Sequence, residues 1–146
     1  MEKGKYLKDL ISGLLAERGT KAGIFGGLVN GLFFLMIYLF AGVKELPIGI
    51  LSFSVAFIFI ITHIVETVVF GLVFSISYNY IPFEKGLHKA ILLSLVFWFF
   101  MKLIPYFSLL TTNPLIVIET LVRFILMGVL VYIFWEYLEE SAPSGI

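Results

Sequence analysis

Four stretches of this sequence are apolar over lengths that let a helix cross a bilayer: residues 21–42, 48–81, 87–104 and 115–135. Such a helix needs roughly 20 apolar residues to traverse a hydrocarbon core of about 30 Å. Inside that core each backbone amide must find its partner within the segment, which leaves helices as the economical answer. Composition agrees: 60% of the residues are hydrophobic and 14% charged, against about 45–50% and about 25% in soluble domains. The sequence therefore predicts an all-α polytopic membrane protein with four transmembrane helices plus an N-terminal amphipathic interfacial helix. The expected organisation is an amphipathic helix over 1–20, a four-helix membrane domain over 21–137 and a flexible tail over 138–146.

Residues 5–18 carry the helical signal of that first element. Leu7, Leu10, Ile11, Leu14 and Leu15 recur on one face, with Lys5, Lys8, Asp9, Glu17 and Arg18 elsewhere, as in a helix lying in the membrane interface. A gate or docking element is the alternative. About twenty polar-amphipathic residues precede the first long apolar run, so it does not read as a cleavable signal.

The first span repeats Gly19, Gly23, Gly27 and Gly31 at every fourth position, with Gly26 and Asn30 beside them. A glycine face of this kind lets a second helix approach closely, the main source of helix association in lipid. It serves either packing against the second span or self-association into a homo-oligomer, and the spacing is the same for both.

The second span carries its own stripe. His63, Thr67, Gly71, Ser75 and Asn79 recur every fourth residue in a run otherwise rich in Val, Ile, Leu and Phe, with Glu66 on the neighbouring face. Its 34 residues would extend about 50 Å as one helix, more than the hydrocarbon requires, so it should tilt, break or project. Gly71 with Ser75 and Ser77 is the expected flexible point and Pro82 the expected end. Residues 83–89 read as a solvated loop. In the third span Lys102 is expected to snorkel and Trp98 to lie in the core. Asn113 and Pro114 read as cap and first residue of the fourth helix. Tyr132, Trp135 and Tyr137 read as its interfacial belt, followed by the acidic exit Glu136, Glu139 and Glu140. Residues 65–69 resemble 118–122, as a parallel internal duplication would require.

Seven basic residues (Lys3, Lys5, Lys8, Arg18, Lys21, Lys85, Lys89) flank one side and two (Lys44, Lys102) the other. The positive-inside rule then places both termini in the cytoplasm.

Charged and titratable side chains at membrane depth cost about 2.5–3.5 kcal/mol each on insertion scales. His63, Glu66, Glu119 and Arg123 therefore call for partners. Glu119 and Arg123 are spaced i, i+4 in the favoured order. If the second helix projects by a few turns, Glu66 reaches the depth of Arg123. The expectation is a buried polar cluster of His63, Glu66, Glu119 and Arg123 between the second and fourth helices. It reads either as a proton or ion relay or as an ion pair that fixes helix register.

Enzyme signatures are absent from the sequence. There is no Cys, only two His, no His-Glu-x-x-His, no phosphate-binding glycine loop and no Gly-x-Ser-x-Gly. No cofactor, metal or catalytic residue is expected. The net charge of zero gives no electrostatic reason to bind nucleic acid.

Thr62-His63, the run 69–74 with Tyr78 after it, Gly86, Pro105, Thr111, Pro114 and Glu119 together resemble the YagU-like inner-membrane family over residues 62–137. The resemblance implies a helical multi-pass protein and no particular mechanism. Arg123 departs from the family pattern, which carries a His nearby.

These features converge on a small oligomeric transport or channel-type protein in the lipid bilayer. The competing expectation is a non-catalytic accessory subunit or lipid-binding scaffold, working beside a membrane partner subunit.

Overall fold

The computed structural model describes residues 2–40, 53–103 and 114–141. Four helices account for nearly all of them: α1 Glu2–Phe40, α2 Phe53–Ser77, α3 Gly86–Leu103 and α4 Pro114–Glu140. No strand occurs among the described residues. Three segments are long and apolar enough to cross a membrane: Gly13–Ile37, Ala56–Ser77 and Val117–Glu140. The third of the expected spans is a shorter apolar helix, Gly86–Met101.

The amphipathic stretch and the first span, read as separate elements, run as one helix. No proline interrupts them, and the junction is stitched by Lys21 Nζ to Glu17 Oε1 at 2.6 Å and by Thr20 Oγ1 donating to Ala16 O at 2.9 Å. Gly19 is the weak point of this junction, and α2 backs it directly.

α1 and α2 pack as an antiparallel pair. Gly19 meets Gly71 and Ser75, Gly23 meets Thr67 and Val68, Gly27 meets the His63–Thr67 turn, and Gly31 meets Ile60 and His63. A Cβ on Gly23 would lie 2.6 Å from both Thr67 O and Val68 Cα, closer than real Cβ contacts come. The hydroxyl of Thr67 donates back to His63 O at 2.7 Å, so the stripe buries a hydroxyl without leaving it unsatisfied. Ser75 Oγ donates across the interface to Leu15 O. Antiparallel α3 and α4 form the second pair: Gly86 lies against Tyr132 and Gly128 against Ser94, and Trp98 Nε1 donates to Thr120 Oγ1 at 3.2 Å.

α1 also covers α4, whereas α2 touches α3 and α4 only sparsely. The core forms where these helices meet, from Ala22, Phe70, Phe74, Ala90, Phe124, Met127, Val131 and Trp135. Its aromatic rings are well placed: Phe74 meets Trp135 edge-on at 5.6 Å and Phe70 meets Phe97 edge-on at 5.3 Å, the arrangement the ring quadrupoles favour.

Several boundaries differ from the sequence reading. α2 ends at Ser77 rather than at Ile81, because a turn forms in which Tyr80 N and Ile81 N both donate to Ser77 O. Pro82 contributes, since it disfavours helical geometry at the residue before it. Gly71 is not a break; its helix runs through it, and the missing side chain lets Gly19 O approach. Lys89, expected in a solvated loop, is buried in the first turns of α3. Trp135, expected in an interfacial belt, is 3% exposed and belongs to the core, while Tyr137 is exposed as expected. Pro114 begins α4 as expected; Asn113, the side chain of Lys102 and residues 142–146 lie outside what is described.

Candidate functional site

The sequence places His63 and Glu66 within one turn of α2 and Glu119 and Arg123 one turn apart on α4. Contacts fix how these helices meet. Phe74 lies against Trp135 and Glu66 against Arg123, so α2 and α4 run parallel and their polar turns share a level. Arg123 Nη2 stands 3.8 Å from Glu66 Oε1, with side-chain exposures of 17% and 19%. That separation exceeds a charge-assisted hydrogen bond of about 2.7–2.9 Å. The pair is Coulombic and loosely held, and Arg123 Nε has no hydrogen-bond partner within the protein.

His63 is buried and lies within electrostatic reach of Arg123, Glu66 and Glu119. Its ring is held by its own helix: Nδ1 lies 2.9 Å from Phe59 O, and the Phe59 ring packs at 4.2 Å between centroids. Gly31 makes room for it, since a Cβ there would come 3.2 Å from His63 Cβ. The far nitrogen, Nε2, is buried with no partner in the protein. The structure thus brings Glu66 and Arg123 into contact and sets His63 beside them. Glu119 is half-buried on the adjoining turn of α4.

Of the expected packing residues, Gly19, Gly23, Gly27, Gly31, Thr67, Gly71 and Ser75 all lie in the α1–α2 interface. Asn79 does not, because α2 has ended two residues earlier and its side chain is exposed.

Three residues outside the expected set prove to be built into the structure. Asn30 is 1% exposed and its Oδ1 has no partner in the protein. It falls one turn after Gly26, which packs on Val131 of α4, and between Gly27 and Gly31, which meet the His63 turn. A lone amide in an apolar glycine-rich span is the signal that marks it. The other two, Arg18 and Lys89, close the opposite end of the bundle. Arg18 lies over the Trp135 ring at 4.2 Å, Trp135 stacks on Tyr78 at 5.9 Å, and Lys89 lies over Tyr78 at 4.2 Å. Arg18 Nε donates to Trp135 O at 3.0 Å and its guanidinium pairs with Glu139. Lys89 Nζ donates to Tyr78 O at 2.7 Å.

No family model, curated protein or solved structure matches the chain. What the site can do therefore rests on its own chemistry. Among the described residues no group of three His, Asp or Glu side chains is gathered as a metal would require. The arrangement offers one carboxylate in a loose ion pair and one imidazole with a free nitrogen, at a seam where two helices meet sparsely. Such groups can bind and pass on a small cation or a proton.

Proposed function

We propose that the chain is a small membrane transport or channel-type protein whose ion path follows the seam between α2 and α4. The observation that carries this reading is the Glu66–Arg123 pair, which holds opposite charges at 3.8 Å without a tight hydrogen bond. A register-fixing pair gains most from short bidentate geometry; a loose pair can exchange partners at small cost. The seam's sparse packing supports the same reading. In it the chain lies in the inner membrane with four spans, Gly86–Leu103 included, and both termini in the cytoplasm. It works as a homo-oligomer whose copies meet through faces other than the glycine face.

The test is ion movement into vesicles containing only the purified chain. Glu66→Gln should reduce the rate per folded molecule at least tenfold. A rate equal to that of empty vesicles for the unaltered chain would sink the proposal.

A second reading, an accessory subunit or lipid-binding scaffold, is favoured by one observation. The glycine face is filled by α2 of the same chain, which removes the most direct sequence argument for a homo-oligomer. This reading expects no ion movement and a different polypeptide retained through gentle purification.

A further inference from the structure

The transport reading leaves the cargo open, and His63 narrows it. A carbonyl oxygen only accepts, so the contact from His63 Nδ1 to Phe59 O at 2.9 Å puts a proton on Nδ1. In the neutral ring Nε2 then carries the lone pair. That lone pair is buried and has no donor within the protein. Helix α2 therefore presents a fixed proton acceptor inside the membrane domain, with its tautomer set by the backbone of the preceding turn.

The surroundings favour a proton over other species. The charged groups facing His63 are Glu66 from its own helix and Glu119 and Arg123 from α4. From α1, Gly27 and Gly31 lie against the His63 turn, with the neutral Asn30 between them in sequence. Two carboxylates and one guanidinium sum to one net negative charge, and a single proton on the ring brings the cluster to zero. An anion would meet two carboxylates. A metal ion would need three ligands drawn together within bonding distance, and among the described residues His63, Glu66 and Glu119 are not so gathered. Of the three further buried atoms that lack hydrogen-bond partners, Arg18 Nη2 lies at the opposite end of the bundle, while Asn30 Oδ1 and Arg123 Nε belong to the helices packed against α2.

We infer that this site binds a proton at His63 Nε2, delivered by water. In the binding step an O–H bond of a hydronium breaks, its electron pair stays on oxygen as water, and an N–H bond forms at Nε2. Release reverses the step toward a second water. The inference rests on the transport reading for its consequence, proton movement, but the protonation itself can be tested apart from it.

The experiment is nitrogen-15 magnetic resonance on chain labelled at histidine and reconstituted in lipid vesicles. The chain has two His; His88→Gln removes the exposed one and leaves His63 alone. At alkaline pH the spectrum should show a neutral ring with Nδ1 protonated and Nε2 bare. Acidification should protonate Nε2, and Glu66→Gln should move the midpoint down, since a nearby carboxylate favours the imidazolium. A neutral ring protonated on Nε2, or a ring that stays neutral while the fold persists, overturns the inference. A pH-sensitive dye inside the same vesicles separates the two proposals. A titrating ring in vesicles that move neither protons nor any other ion supports the proton site and defeats the transport reading. A ring that does not titrate in vesicles that pass another ion overturns the proton site and leaves the transport reading standing.

Discussion

Glu66 of α2 and Arg123 of α4 face each other at 3.8 Å, fifty-seven residues apart in sequence and each less than one-fifth exposed. Removing one partner from a largely buried pair strands the other, whereas removing both removes the problem. Arg123→Leu should therefore destabilise the protein by about 2–4 kcal/mol. The double substitution with Glu66→Leu should cost less than Arg123→Leu alone. Unfolding equilibria in detergent micelles for the full double-mutant cycle provide the measurement. Simple additivity would mean that the two charges do not interact.

The glycines of α1 should be unequal. Alanine at Gly23 or Gly27 meets the α2 backbone or the Thr67 side chain, and overpacking of this kind costs about 1–3 kcal/mol. Gly13 has nothing within 4 Å of the place a Cβ would occupy, so Gly13→Ala should be neutral or stabilise by up to about 1 kcal/mol through helix propensity. Thermal unfolding of the three variants in one detergent ranks them. Equal losses at all three positions would show that α2 does not fill this face.

Arg18 and its acidic partner should separate in the same way. Glu139 is 64% exposed at its side chain, so Glu139→Gln should cost under about 1 kcal/mol and still less in high salt. Arg18→Ala removes the stack on Trp135 and the bond to its carbonyl as well, and should cost about 2–3 kcal/mol. Indole fluorescence of Trp135, measured in a Trp98→Phe background, should change with Arg18→Ala and not with Glu139→Gln. The reverse pattern would place the stabilisation in the ion pair.

Lys89 fastens the first turns of α3 to the end of α2 through Tyr78 O and the Tyr78 ring. Lys89→Met keeps the apolar stem but loses the donor and the charge. Amide exchange over residues 78–90 should quicken about tenfold or more, as the loss of about 1.5–3 kcal/mol for a charged hydrogen bond implies. Unchanged protection there would assign that turn's order to the Ser77 carbonyl alone.

Residue pattern determined a good deal by itself. Apolar runs of bilayer length follow from the cost of exposing backbone amides in hydrocarbon, and three segments with the required length and hydropathy form helices where the sequence places them. The matching periods of Gly19, Gly23, Gly27 and Gly31 with His63, Thr67, Gly71 and Ser75 made a close pairing foreseeable, because helical repeat is a local property. Depth along each span would match Glu66 to Arg123 only if the second helix projected by a few turns, so their approach to 3.8 Å belongs to the packed helices. Tertiary structure decided what a period cannot encode. Which surface fills the glycine face depends on where α2 lies, and only α2 of the same chain brings backbone within reach of those glycines. The environments of Lys89 and Trp135 depend on neighbours from other helices: Tyr78 gives Lys89 its acceptor, and Arg18 covers Trp135. Asn30 gains its importance from two helices meeting on either side of it. Burial of a polar atom is a sum over contacts distant in sequence, so it becomes visible only once the helices are packed.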